Sequence, residues 1–266
     1  MPIYHSLGKI PNKRHTQFNK PDGTLYHEEL FGTIGFEGMS SLLYHEHPPT
    51  QIKKINKSID VTPKVAIEKN ITSRKLIGFD ILPENDFLDS RQTLLVNKSV
   101  HIGLAAPKKS METYFYKNSD ADEMLFIHKG KGNLKTFLGN ISFEYGDYLI
   151  IPRGMIYQIE FESEDNRILY AESFDPIYTP KKYRNWFGQL TEHSPFCERD
   201  YKLPKNLVSF NKKGDFIVKI KKQGMLHEII YGTHPFDVIG WDGYNFPYGF
   251  SIHNFEPITG RIHQPP

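Results

Sequence analysis

Apolar and polar positions first fall into order at Arg91. Leu94, Val96, Val100, Ile102 and Leu104 take even positions, while Asn97, Ser99 and His101 take odd ones; Leu95 and Lys98 interrupt the alternation without erasing it. Side chains switch faces at every residue of a strand, so this period of two predicts a strand with one buried face. A dense series follows: "EMLFIHKG", "KGNLKTFLGN", "ISFEYG", "DYLIIPRG", "YQIEFES" and "NRILYAESF". Short apolar runs punctuated by Gly, Asn, Asp or Pro at this spacing are the sequence form of an antiparallel sandwich or barrel with hairpin connections.

The flanks read differently. The first ninety or so residues show little sustained period, apart from a turn at Pro21, Asp22 and Gly23 between two short extended pieces. Between about Pro176 and Pro204 the chain becomes a proline-bounded, polar and aromatic connector, and "GDFIVKIKKQGMLHEIIYGTHPFDVIGWDGY" then begins a new segment.

Composition sharpens this picture. The 19 Phe and 15 Tyr suit pleated, half-buried surfaces, and 20 Gly with 18 Pro punctuate short elements, so the fold class is mostly β. A chain of 266 residues that is 38% hydrophobic can bury one large core or two smaller ones. Lys and Arg number 33 against 31 Asp and Glu, a formal charge of +2, which leaves no field to draw the chain onto nucleic acid. The N-terminal stretch has neither a signal core nor a bilayer-spanning run, and a single cysteine cannot staple the fold. A cytoplasmic protein with no nucleic-acid or membrane partner is expected.

Candidate chemistry centres on "GDYLIIPRGMIY", residues 146–157, which fits the second cupin signature: a glycine turn, an apolar strand, Pro-x-Gly, and then a metal-binding histidine. Gly146 and Asp147 supply the turn, and Pro152 and Gly154 aim the next strand's first inward side chain at the cavity. That side chain is Tyr157, which shares a face with Ile159 and Phe161, while Gln158, Glu160 and Glu162 take the other. Upstream, "YKNSDADEMLFIHKGKG" lines up with the first signature; Glu123 survives and Tyr116 stands in the histidine position. A two-His-one-carboxylate iron or manganese site cannot be built from one carboxylate and two tyrosines, so this barrel is expected to be metal-free and packed by aromatic side chains.

Four other spots carry weaker signals. His45 and His47 in "YHEHPPT" are two apart, which on a strand suggests metal, but no third ligand is evident nearby and a surface or subunit-contact loop is the better reading. His15 beside Lys13 and Arg14 suggests either a small anion site or, preferably, a solvated basic turn. Cys197 in "PFCERD" lacks a base partner and reads as a buried small hydrophobe rather than a nucleophile. Asp242, Gly243 and Asn254 read as turn chemistry.

The blocks "YHSLGKIPNKRHTQF", "PDGTLYHEELFGTIGFEGMSSLLYHEHPPT", "PRGMIYQIE", "PFCERDYKLP" and "GWDGYNFPYGFSIHNFEPITGRIHQPP" together resemble the homogentisate 1,2-dioxygenase family, close to its bacterial branch. The resemblance implies a ring-cleaving dioxygenase of tyrosine and phenylalanine catabolism that converts homogentisate and O2 to maleylacetoacetate with non-haem Fe(II). It also implies homo-oligomers, trimers or hexamers. Such proteins pair an N-terminal β-domain carrying a degenerate cupin with a C-terminal cupin that holds iron. On that pattern residues 1–176 form the N-terminal β-domain, 177–234 a connector and mixed segment, and 235–266 the start of a truncated catalytic cupin. The family's iron ligands lie downstream of this chain, so none of its residues is assigned as a metal ligand. His263 in "GRIHQPP" matches the family's acid–base histidine near the phenolic hydroxyl, a role suited to an imidazole that titrates near pH ~6.5; the bland alternative is a histidine in a frayed tail. A non-enzymatic cupin scaffold, binding a partner or an aromatic ligand, is the competing reading for the chain by itself.

Overall fold

The computed structural model describes residues 3–67, 70 and 72–256. Eighteen strands occur among them. First come β1 (His5–Gly8), β2 (His27–Gly32), β3 (Ser40–His45) and β4 (Ile52–Asp60), then the hairpin of β5 (Arg91–Val96) and β6 (Val100–Ala105). The dense central series forms β7 (Phe115–Asn118), β8 (Asp122–Lys129), β9 (Gly132–Thr136), β10 (Gly139–Phe143), β11 (Asp147–Ile151), β12 (Ile156–Phe161) and β13 (Arg167–Ser173). Last are β14 (Tyr201–Lys202), β15 (Lys213–Lys222), β16 (Met225–Thr233), β17 (Val238–Gly243) and β18 (Tyr248–Ser251).

Strands β6 to β13 divide between two sheets, β6-β13-β8-β11 and β7-β12-β9-β10. This is the jelly-roll order of a cupin. Further strands widen each layer to seven. β15, β16 and β4 continue from β7, with β15 parallel to it, while β18 and β14 extend from β11 and β5 from β6. A separate four-stranded sheet runs β1-β17-β3-β2.

The turns sit where the punctuation placed them. Gly146 and Gly154 adopt φ of +88° and +86°, left-handed values that glycine reaches at little cost. The core lies between the two large sheets, with Tyr116, Leu125, Leu134, Leu149, Tyr157 and Tyr170 almost wholly enclosed. Each such side chain contributes about 1.5–3 kcal/mol by leaving water.

One expectation changes. The alternation from Arg91 belongs to two strands, and its apolar even positions do not face the core: Leu94 is exposed, whereas Gly103 and Ala105 are buried. The inward face is polar or small because a large ring fills the space; a Cβ on Gly103 would collide with the Tyr170 hydroxyl. Residues 213–251 add β15, β16 and β18 to the two large sheets and β17 to the small one, all begun by residues 5–173. Their partners, such as His5 opposite Gly243, lie too far away in the chain for local pattern to register.

Candidate functional site inside the jelly roll

Three side chains marked by the cupin signatures meet in the interior. Tyr116 of β7 and Tyr157 of β12 are directly paired across their ladder, and their rings meet edge to face at 5.4 Å. Glu123 projects from β8 in the facing sheet, and the Tyr157 hydroxyl donates to its Oε2 at 2.7 Å. Tyr157 therefore points inward as expected, and it holds a carboxylate as well as filling space.

The sheet brings a second carboxylate to the same place. Glu172 of β13 sits opposite Glu123 in the β8–β13 register, and both are almost fully buried. Arg91, the first residue of β5, lies between them: Nη1 donates to Glu123 Oε1 at 2.9 Å and Nη2 forms an ion pair with Glu172 Oε1 at 2.8 Å. Its guanidinium stacks 4.1 Å from the Tyr170 ring centroid. Lys221 of β15 donates to both Glu172 oxygens at 2.7 and 2.6 Å, and Asn118 Nδ2 donates to Oε1 at 2.8 Å.

This packing fixes the protonation states. Burial opposes charge on Arg91, but the carboxylates Glu172 and Glu123 outweigh it and hold the guanidinium protonated well above the ordinary arginine range. Burial would raise Glu172, yet Arg91 and Lys221 pull it down to about 2. Burial first, and Glu123 second, push the Tyr116 and Tyr157 phenols well above their usual range. Both are kept as neutral phenols rather than phenolate ligands.

An Fe(II) ion does not fit these residues. A protein cation already bridges the two carboxylates, and two neutral phenols stand at the histidine positions of the cupin signatures. Among the described residues no group of three or more His, Cys, Asp or Glu side chains is placed to hold a metal. A cavity of about 260 Å³ is lined by Arg91, Tyr116, Tyr170, Glu172 and Lys221 together with Ile59 and Leu226.

The other expected spots resolve as structural contacts. His45 is not in a surface loop; it ends β3 and is buried, with Nδ1 2.8 Å from Asp237 Oδ1 and Nε2 3.0 Å from Glu29 Oε2. Burial disfavours its charge, but those carboxylates raise it to about 9, so the imidazole is cationic at neutral pH. His47 contributes only its backbone N–H, which donates to Asp237. Arg14 is not an open anion site, because its Nε donates at 2.8 Å to the buried Asp242, which also accepts from Tyr4. Asp242 and Gly243 thus belong to β17 rather than to a turn. Cys197 is half-buried and caps the short 3₁₀ turn Glu198–Asp200. His263 lies outside the described residues.

Sequence reasoning missed Arg91, Glu172 and Lys221. One signal was available: Ile168, Tyr170 and Glu172 alternate inward along β13, so a carboxylate stands where an apolar side chain is expected. The partners that neutralise it come from strands about 80 residues before it and about 50 after it, and no local pattern announces them.

The sequence profile of the family described as homogentisate 1,2-dioxygenase N-terminal matches residues 10–252. The chain belongs to that family. A relative from Saccharolobus solfataricus, named "Putative dioxygenase SSO1533", is 39% identical over 266 residues, which span all of this chain and 68% of the relative. Among solved structures, a cupin superfamily protein from Desulfitobacterium hafniense is 18% identical and aligns over 41% of this chain and 100% of its own, with a TM-score of 0.33. A cupin-2 domain protein from Shewanella frigidimarina is 17% identical over 36% of this chain and 87% of its own, with a TM-score of 0.31. No helix among the described residues of this homogentisate dioxygenase-family chain is long and apolar enough to cross a membrane.

Proposed function

We propose that this chain is the N-terminal part of a cytoplasmic, homo-oligomeric homogentisate 1,2-dioxygenase, which opens the ring of homogentisate with O2 to give maleylacetoacetate in tyrosine and phenylalanine catabolism. The observation that carries this reading is the family match over residues 10–252, joined to a dioxygenase-named relative that aligns over the whole chain. Fe(II), when bound, supplies the means of activating O2. Its ligands belong to an iron-bearing cupin outside the described residues, because the interior described above does not accept the ion.

Within this reading the jelly roll is a scaffold. Its would-be ligand Glu123 is neutralised by Arg91 and Tyr157, and its interior is packed by tyrosine rings. That closed interior also favours a second reading for the described residues alone, a cupin with a purely structural or partner-binding role. His263 is proposed as the acid–base group that takes the phenolic proton when the ring binds.

The test is O2 uptake with homogentisate by protein that carries the iron-bearing cupin, beside ring-opened product followed by chromatography. Uptake and product in equal amounts support the assignment, and uptake with another dihydroxybenzene alone changes the substrate. His263→Asn should leave iron content nearly intact yet lower turnover per iron by about 10²–10⁴-fold. Unchanged turnover per iron removes His263 from the mechanism.

A further inference from the structure

The centre of the jelly roll carries an arrangement that the dioxygenase assignment does not use. Glu123 and Glu172 are opposed across the β8–β13 ladder, where like charges repel, and both are almost fully buried. Burying two carboxylates there requires a cation. What satisfies them has a definite shape: the planar fork of Arg91 gives one terminal nitrogen to each carboxylate, at 2.9 and 2.8 Å. Its Cζ lies over two aromatic rings, 4.1 Å from the Tyr170 centroid and 5.5 Å from that of Phe87. A planar fork that spans two carboxylates beside aromatic rings matches a guanidinium; an ammonium or a divalent metal ion lacks that fork.

We propose that the interior of this barrel is a guanidinium-recognition site, filled by the chain's own Arg91, and that cutting Arg91 back lets the site take a free guanidinium ion from solution. Neither neighbouring base replaces Arg91. Lys221 is committed to both oxygens of Glu172, and His101 lies 3.6 Å from Glu172 on the same carboxylate. Among the described residues, Glu123 has no cationic partner besides Arg91. The cavity over Arg91, Tyr170 and Glu172 gives a small cation its way in.

The experiment compares melting of the unaltered protein and Arg91→Ala in about 20 mM guanidinium chloride, sodium chloride or urea, concentrations too low to denature. In sodium chloride the variant should melt roughly 6–20 °C below the unaltered protein, the range for an unpaired buried charge in a domain of this size. Guanidinium should restore several degrees to Arg91→Ala and none to the unaltered protein, while urea, a neutral molecule of similar shape, restores nothing. Equal responses of the two proteins to guanidinium overturn the proposal. Recovery with Mn(II) but not guanidinium also overturns it, since the carboxylates would then form a latent metal site. If Arg91→Ala does not fold, two further measurements decide. Arg91→Lys should melt below the unaltered protein because one ammonium cannot span both carboxylates; an unchanged melting temperature refutes the shape argument. In the unaltered protein, phenylglyoxal should label Arg91 roughly tenfold or more slowly than the half-exposed Arg14. Equal labelling would show a guanidinium that is not held.

Discussion

Tyr157→Phe and Tyr116→Phe remove the same atom from two buried, directly paired rings, and their geometry predicts unequal costs. The Tyr157 hydroxyl donates to Glu123 Oε2 at 2.7 Å. Without it a sealed carboxylate loses a charge-assisted hydrogen bond that water cannot replace. Such bonds contribute about 1.5–3 kcal/mol, and an unsatisfied charged acceptor adds to the loss, so Tyr157→Phe should cost about 2–4 kcal/mol. At this chain length that lowers the melting temperature by roughly 5–15 °C. The Tyr116 hydroxyl instead lies 3.4 Å from Arg91 Nη1, beyond ordinary hydrogen-bond length, and Arg91 keeps both carboxylates when it is removed. Tyr116→Phe should therefore cost about 1 kcal/mol or less. Urea unfolding followed by intrinsic fluorescence gives both values, with an unchanged m-value as the check that only stability moved. Equal losses, or a larger loss for Tyr116→Phe, would refute the assignment of Tyr157 as the donor that holds Glu123.

Acid should act through Glu172. Its folded-state pKa is depressed from 4.5 to about 2, so its contribution, on the order of 3 kcal/mol, is complete above 4.5 and lost as pH falls towards 2. Melting curves of Glu172→Gln should be flatter than those of the unaltered protein across that interval. His45 has the opposite sign: raised from 6.5 to about 9, it stabilises fully below 6.5 and loses that contribution as pH climbs through 9. His45→Gln should abolish this alkaline slope, and a retained slope would assign it elsewhere. Tyr157→His should not create an iron site, since it sets one imidazole beside a Glu123 that Arg91 already holds. Metal analysis after anaerobic Fe(II) reconstitution should find little bound, and one iron per chain would contradict the reading of this interior.

The order of the strands is written locally. Alternating apolar runs between Met124 and Phe174, with glycines at the turns, are enough to specify β8 to β13, because side-chain period and turn geometry are properties of a few adjacent residues. The same local logic placed Tyr157 on the inward face and identified Tyr116 and Glu123 as the residues at cupin ligand positions. What Glu123 does was not local. Its register opposite Glu172, the delivery of Arg91 from the edge strand β5 and the approach of Lys221 from β15 depend on strands paired through the whole fold. His45 shows the same division: the histidine is visible in "YHEHPPT", but its carboxylates Glu29 and Asp237 arrive from β2 and from the loop before β17. From β8 to β13 the sequence determined which side chains point inward, since facing is fixed residue by residue along a strand, whereas in β5 and β6 the Tyr170 ring gave the inner face to small residues. Tertiary structure alone decided which charges meet there, because a buried ion pair depends on groups from distant parts of the chain being brought out of water together.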